Sequence, residues 1–304
     1  MELGQLRALR ELGDRGSIAA VAAALYVTPS SVSQQISALQ RSSPVPLTYK
    51  SGRRTALTDA GKALASAVVE VEVALERANQ AIARFQDEPT GIVSVAAFHS
   101  VALMLFRRLL ATDSVPDQPQ LALNDFDVAQ DAFPALTRTY DLVIAHRLTG
   151  SPDWPASVRV EPLLFEPLDV VVRRGHRLAD KVSLDREDLR DQDWVTVHQG
   201  FPLEGAIAHI LGIGGVEARI VHRINEYSIA ATVVAASNCV ALMPRYTANM
   251  QNHPELVLKP LTEPGPGRNV DVLSRPETLE RANVRTVMAQ LRAAIASFTP
   301  SHGG

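Results

Sequence analysis

Hydroxyl and amide side chains recur at helical spacing over residues 28 to 41, opposite an apolar face formed by Val32, Ile36 and Leu39. Such groups can hydrogen-bond to the edges of nucleic-acid bases, and glutamine pairs well with adenine. The cations that follow surround a glycine-containing turn and can neutralise phosphates of any sequence. The candidate nucleic-acid contacts are therefore Thr28, Pro29, Ser30, Ser31, Ser33, Gln34, Ser37, Arg41, Lys50, Arg53 and Arg54.

The charge of the chain is distributed unevenly. The net charge of the 304 residues is −3, but residues 1 to 60 hold seven Lys or Arg against four Asp or Glu. From Arg41 to Arg54 there are four cations and no acid. A polar helix face alone is often merely solvated, but one placed between a tight turn and a basic hairpin favours contact with DNA.

Capping signals predict the elements that position these residues. Ser17 precedes a helix over residues 17 to 25, and Thr28 with Pro29 begins a second helix over residues 29 to 42. Two short strands, 47 to 49 and 55 to 57, enclose the basic turn and form a wing. Thr58 then begins a helix that continues to residue 88.

This long helix carries an apolar heptad pattern. The spacings alternate between four and three residues, which is typical of a coiled-coil seam. The alternative is that the seam packs on the chain's own domains. A helix of this length, about 40 Å, is longer than a small domain is wide, so we favour a dimer. The predicted dimerisation residues are Leu64, Val68, Val71, Leu75, Ala78, Ile82 and Phe85.

Beyond Gly91 strands and helices alternate, which predicts an α/β domain with a largely parallel sheet. Pro162 and Pro167 precede a second strand and helix run, and a segment rich in proline and glycine, 264 to 267, follows it. The last strand and helix are expected to return to the first lobe. The predicted domains are a winged helix-turn-helix over 1–60, a linker helix over 58–88 and an effector-binding domain over 90–304. Within the last, lobe I spans about 90–162 and 268–304, and lobe II about 163–267.

The chain resembles LysR-type transcriptional regulators. Residues 16 to 39 resemble the family's helix-turn-helix, and Pro46-Leu47, Gly52-Arg53-Arg54, Leu57-Thr58 and Ala60-Gly61 resemble its wing and linker. Weaker similarity extends over most of the remaining chain, as in Val240-Ala241-Leu242-Met243-Pro244. Among the departures, Gln40 stands where members usually carry an acid, and Asn238 stands where they carry glycine.

The resemblance implies a multidomain α/β protein with a winged helix-turn-helix, a long linker helix and a two-lobed effector domain like that of periplasmic binding proteins. Residues 29 to 42 would form the recognition helix in the major groove. The implied partners are double-stranded DNA, a small-molecule effector and further copies of the chain, as a homodimer and then a homotetramer. RNA polymerase is a further candidate partner.

Effector residues are expected after the carboxyl ends of strands, where helix N-termini can hold anions. A small polar effector, an anion rather than a cation, is predicted between Ser100, Arg147, His198 and Gln199. Ser100 falls where the family commonly binds its ligand with Ser or Thr. The candidate effector-binding residues are His99, Ser100, His146, Arg147, His198 and Gln199.

Other functional classes receive little support from the sequence. No phosphate loop, nucleophile elbow, Cys pair or persuasive metal-ligand spacing occurs, so neither an enzyme nor a metal or other cofactor is expected. A winged-helix regulator with a different sensor, such as an oxyanion-binding module, is the alternative, although the two-lobed strand order speaks against it.

The single cysteine, Cys239, is expected to be a buried, inert thiol. Without a signal peptide or an apolar span, the protein is predicted to be cytoplasmic, with no membrane partner.

Overall fold

The structure is a computed structural model, and it describes residues 1–52, 54–83, 91–112, 118–201, 203, 205–211, 218–248, 252–262 and 265–297. Among them, the side chains at positions 83, 112 and 209 are not described. The chain divides into two compact units, Met1–Gln86 and Asp87–Gly304.

The first unit begins with three helices around a small apolar core. They are α1 (Leu3–Arg15), α2 (Ile18–Ala24) and α3 (Pro29–Arg41). The Ser17 and Thr28 hydroxyls accept hydrogen bonds from the backbone N–H groups of Ala20 and Ser31, each at 3.2 Å, so both predicted caps are present. The sequence analysis assigned no helix to residues 3 to 15, yet α1 contributes Leu9 and Leu12 to the core.

A two-stranded wing follows, formed by β1 (Thr48–Ser51) and β2 (Arg54–Leu57) in antiparallel register. Gly52, at a φ of 62°, occupies a turn conformation that other residues adopt only with strain. Gln40 links α3 to the wing, because its amide nitrogen donates to the Val45 carbonyl (3.0 Å) and its amide oxygen accepts from the Leu47 N–H (2.7 Å). A neutral amide at this position therefore makes two bonds that a carboxylate could not make together.

Helix α4 (Asp59–Ala83) begins directly after the wing, and the Thr58 hydroxyl caps it by accepting from the Gly61 N–H at 3.0 Å. Glu72 ties α4 to α1, since its carboxylate pairs with Arg7 at 3.1 Å and with Arg10. The predicted extension of this helix to residue 88 lies outside the described residues.

The first lobe of the second unit is built on β3 (Ile92–Ala97), which lies parallel between β4 (Gln120–Asp125) and β5 (Leu142–Leu148). Helix α5 (His99–Thr112) follows β3. Between β4 and β5, a 3-10 turn (Gln130–Ala132) leads into the short α6 (Phe133–Leu136).

The second lobe contains α7 (Arg186–Leu189), β7 (Asp193–Thr196), α8 (Ala206–Leu211), β8 (Arg219–Arg223), α9 (Tyr227–Ala236), β9 (Val240–Pro244) and β10 (Leu256–Lys259). Strand β7 lies between β8 and β9 and is parallel to both. Trp194, on β7, is fully buried in the core of this lobe.

The two lobes share the long strand β6 (Arg159–Arg173). Its first part pairs with β11 (Gly267–Ser274), whereas its last part pairs with β9 and β10. Strand β11 also pairs with β5, and the C-terminal helix α10 (Ala282–Ala296) adds Val287 and Leu291 to the core of the first lobe. The chain thus forms the two-lobed α/β fold that the resemblance implied.

Two details of this fold differ from the sequence-based expectation. The sheet is mixed, not largely parallel, because β6 and β11 run antiparallel to each other and to neighbouring strands. Pro162 and Pro167 do not precede the strand but lie within β6. Pro162 is tolerated because it sits at a register shift opposite Asp271, where a ladder N–H is not required.

Candidate DNA-reading face and effector cleft

Helix α3 presents its polar face to solvent. Of the predicted DNA contacts on and beside this helix, only Ser31 is half-buried. The exposed ones are Thr28, Pro29, Ser30, Ser33, Gln34, Ser37 and Arg41. Val32, Ile36 and Leu39 on the opposite face are buried in the core of the first unit. The amphipathic pattern therefore presents a continuous polar surface about three turns long.

The polar side chains of this surface differ in whether they already hydrogen-bond within the chain. The Thr28 hydroxyl caps α3 and lies 2.9 Å from the Ser30 hydroxyl, and the Ser33 hydroxyl donates to the Pro29 carbonyl at 3.0 Å. Within the described part of the chain, no such bond holds the Gln34 amide. The Gln34 amide thus keeps both its donors and its acceptor for an outside partner.

The wing adds positive charge. Lys50 and Arg54 are exposed, and the Lys50 ammonium lies 3.4 Å from the Thr55 hydroxyl. Arg53, the third predicted wing cation, lies outside the described residues.

Sequence reasoning did not select Tyr26, which is 96% exposed at the turn between α2 and α3. Its φ of 54° is unusual for a residue with a side chain, and this backbone angle cannot be read from the sequence.

An open cavity lies between the two lobes of the second unit. The first lobe contributes the segment Phe98, His99 and Ser100, which follows β3, and the second contributes Asn225, Glu226 and Tyr227 at the start of α9. The other lining residues are Asp127, His146, Val197, Phe201 and Arg268.

Three of the six predicted effector residues line this cavity, namely His99, Ser100 and His146. Arg147 does not, because β5 continues through residue 148 and Arg147 pairs with Asp271 (3.5 Å) and Asp153 (3.3 Å). Arg147, the cation that the sequence analysis placed in the cleft, is therefore paired with carboxylates outside the cavity.

The loop after β7 also differs from the expectation. His198 and Gln199 are exposed and do not line the cavity, whereas their neighbours Val197 and Phe201 do. The backbone N–H of His198 donates to the Asn225 side chain at 2.9 Å, which fixes the loop in this orientation. Helix α8 begins only at Ala206, so its N-terminus does not lie directly after Gly200.

Sequence reasoning missed the charged group at the inner end of the cavity. Arg268 is fully buried, and its guanidinium donates to Glu166 (2.9 Å), Ser100 (3.1 Å) and Thr247 (2.5 Å). Glu166, also fully buried, accepts from the N–H groups of Tyr246 and Thr247, each at 2.7 Å. The partners come from α5, β6, β11 and the segment after β9, so the network joins both lobes at the cavity.

Aromatic rings surround this guanidinium. Its central carbon lies 4.8 Å from the ring centroid of Phe98 and 6.0 Å from that of Tyr227, within the range of cation–π attraction. Burial raises the pKa of Tyr227 to about 12, so its hydroxyl stays protonated at neutral pH. The inner end of the cavity is therefore apolar and aromatic around one balanced ion pair.

His146 is buried beside this pair, and its ring centroid lies 4.2 Å from that of Phe98. Burial and the nearby Arg268 charge hold the pKa of His146 well below its usual range, so the ring is neutral at pH 7.

This shift predicts a pH dependence of stability. The unfolded chain binds a proton at the His146 ring below about pH 6.5, while the folded chain does not, so the free energy of unfolding should fall as the pH drops from 7 to 5. His146→Phe should flatten this dependence. Urea unfolding at several pH values measures it, and an unchanged slope in the variant would contradict the assignment. His176, whose pKa is also lowered, contributes with the same sign and remains in both proteins.

The predicted dimerisation residues divide into two groups along α4. Leu64 packs on the core of the first unit and Val68 is buried, so both already have partners in their own chain. Val71 and Ile82 are 45% and 67% exposed, Leu75 is half-buried and Ala78 is exposed. Phe85 lies outside the described residues. From Val71 onward the seam therefore presents apolar surface to solvent.

Family models cover nearly the whole chain. Residues 3–62 match the bacterial regulatory helix-turn-helix of the lysR family, and residues 86–296 match the LysR substrate binding domain. The chain belongs to the LysR family. It is a LysR-type transcriptional regulator, with a helix-turn-helix for DNA and a two-lobed domain for a small molecule, as the sequence analysis predicted.

Relatives and solved structures agree with this membership. The HTH-type transcriptional regulator SsuR of Burkholderia cenocepacia is 28% identical over 250 residues, which are 78% of this chain and 80% of that protein. A full-length OxyR variant from Pseudomonas aeruginosa matches with a TM-score of 0.67 at 21% identity, over 98% of this chain and 96% of that chain. Full-length CbnR bound to its target DNA matches with a TM-score of 0.52 at 19% identity, over 97% and 100% of the two chains.

Other features of this LysR protein bear on its chemistry. Cys239 is the only cysteine of the 304 residues and is buried in the second lobe, so the chain cannot form a disulfide within itself. In the described residues, no cluster of His, Cys, Asp and Glu is arranged to hold a metal ion. None of the described helices combines the length and apolar character needed to cross a bilayer.

Proposed function

We propose that this LysR-type regulator binds its operator as a dimer, reads bases with α3, contacts phosphates with the wing, and responds to a small molecule held between its two lobes. The observation that supports this most directly is the exposed polar face of α3 beside the wing cations Lys50 and Arg54. Side chains on a helix that fits the major groove can reach base edges, whereas flexible cations on a hairpin suit the backbone.

The dimer is supported by the exposed half of the α4 seam. Val71 and Ile82 are large apolar side chains exposed at heptad positions, with Leu75 between them. A second copy of the helix would remove this surface from water. The dimer would present two copies of α3, so the operator should contain two related half-sites.

Effector control is supported by the cavity, which combines aromatic walls with a few converging polar groups at the junction of the lobes. His99, Ser100 and His146 of the sequence analysis belong to the proposed site, and Arg268, Asp127 and Tyr227 join them. A ligand that binds the closed lobes more tightly than the open lobes would shift their equilibrium.

Two variants separate base reading from phosphate contact. Gln34→Ala should lower affinity by about 1 to 3 kcal/mol for the operator and change the preference at one base position in each half-site. Arg54→Ala should weaken operator and random DNA alike and reduce the slope of log affinity against log salt by about one. Footprinting followed by binding titrations at several salt concentrations measures both effects.

Arg190→Ala is the matched control, because Arg190 is an exposed arginine of the second unit and should leave binding unchanged. Protection of a single half-site would contradict the dimer. If Gln34→Ala weakened operator and random DNA equally, Gln34 would not be a base-reading residue.

A further inference from the structure

The inner end of the interlobe cavity holds two buried polar atoms without a partner. Within the described structure, neither Nη1 of Arg268 nor Nδ1 of His146 makes a hydrogen bond, although both side chains line the cavity. An unpaired buried polar group carries a desolvation cost that a ligand can relieve. Because the Arg268 guanidinium is a donor only, the ligand group at this end must include an acceptor.

This inner end carries no excess positive charge. The Arg268 guanidinium lies 2.8 Å from a carboxylate oxygen of Glu166, and both side chains are fully buried. Arg147 is paired with Asp271 and Asp153 outside the cavity. An anion entering the cleft would therefore find a donor but no unbalanced cation.

The mouth of the cavity is acidic. Asp127 and Glu226 line it, and Asp125 adjoins it through an ion pair with His99 at 2.5 Å. The same imidazole lies 3.5 Å from Glu226, so it can balance at most one of the three carboxylates.

Other groups do little to offset this charge. One oxygen of Glu226 accepts the Ser228 N–H at 3.2 Å at the start of α9. The nearby Arg223 donates to the Val197 carbonyl at 3.1 Å and does not line the cavity. Burial, and to a lesser extent Glu226, raises the pKa of Asp127, and these effects outweigh the lowering by His99 and by a hydrogen bond with the Asn225 side chain.

We propose, building on the proposed effector site, that the effector is an amine or amino acid that places its ammonium group between Asp127 and Glu226 and an acceptor against Arg268. Phe98, Phe201 and Tyr227 would enclose the carbon skeleton between these ends. This replaces the anion that the sequence analysis expected from Arg147. The ligand has a net charge of zero or above, because the three carboxylates at the mouth outnumber the single imidazole beside them and would repel a net anion.

Matched trios of compounds test this assignment on the full-length protein. Each trio combines an amino acid with the amine that lacks its carboxylate and the acid that lacks its α-amino group. The trios are phenylalanine, phenethylamine and 3-phenylpropanoate; leucine, isopentylamine and 4-methylpentanoate; and lysine, cadaverine and 6-aminohexanoate. The last acid keeps the side-chain amine. Calorimetry at constant ionic strength should detect binding of at least one amine or amino acid and none of the two simple carboxylates. The double variant Asp127→Asn with Glu226→Gln should weaken that binding about tenfold or more.

Asp153→Asn is the control, since Asp153 is an exposed acid that pairs with Arg147 away from the cavity, and it should not alter binding. Tighter binding of 3-phenylpropanoate or 4-methylpentanoate than of their amine partners would overturn the assignment, as would amine binding that the double variant leaves unchanged. If such a carboxylate lost affinity in Ser100→Ala, the cleft would remain the effector site and only the ligand class would be wrong. Failure of every compound to bind at millimolar concentration would count against both the class and the site.

Discussion

Glu166→Leu will lower the free energy of unfolding of the second unit by about 3 to 5 kcal/mol, because it leaves the Arg268 guanidinium buried without its carboxylate. Arg268→Met will cost less, because Glu166 then still accepts from the N–H groups of Tyr246 and Thr247. The double variant, in which apolar side chains replace the whole pair, should recover much of the loss. Urea unfolding followed by the fluorescence of Trp154 and Trp194 measures these differences.

The Asp169–Arg245 pair provides a matched comparison. These residues are joined by two bonds of 2.7 and 2.8 Å, but the Arg245 side chain is 39% exposed and can remain solvated when Asp169 is changed. Asp169→Leu should therefore cost less than Glu166→Leu. Equal losses for the two variants, or a double variant no more stable than Glu166→Leu alone, would show that burial of the charge is not the source of the effect.

The first unit could be predicted closely because its signals are local. Ser17, Thr28 and Thr58 each cap a helix within three residues of their own position, and the wing is closed by a turn. Helix α1 was missed although its Leu9 and Leu12 are buried, because Glu2, the N-cap residue before the helix, is not one of the usual capping types.

The effector cleft could be predicted only in part, because its chemistry depends on contacts between distant residues. The expectation that effector residues follow the carboxyl ends of strands holds for His99 and Ser100, which come after β3 and line the cavity. Arg268 lies 102 residues from Glu166 and follows a proline and glycine segment, so no local pattern marks it as buried. Its position follows from the pairing of β11 with β6, and strand register between remote segments cannot be read from periodicity alone.

A long-range contact of the same kind makes Gly61 sensitive to the smallest substitution. A Cβ atom at this position would lie 2.0 Å from the Leu47 carbonyl oxygen and 3.3 Å from Cβ of Leu57. That carbonyl oxygen also accepts the Thr58 N–H at 3.0 Å, so the backbone of the wing and the start of α4 are held in contact. Gly61→Ala cannot be accommodated by rotating a side chain and must push α4 away from the wing.

We expect Gly61→Ala to destabilise the first unit by about 3 kcal/mol, even though alanine is intrinsically favoured over glycine in a helix by about 1 kcal/mol. Operator affinity should also fall, because the wing cations lose their position relative to α3. Gly4→Ala in α1 is the matched control, since its new Cβ would meet only the Gln35 amide at an ordinary 3.9 Å, and it should leave stability equal or slightly higher. Thermal unfolding and operator titration of both variants measure the difference, and equal behaviour of the two alanines would refute the close approach of α4 to the wing.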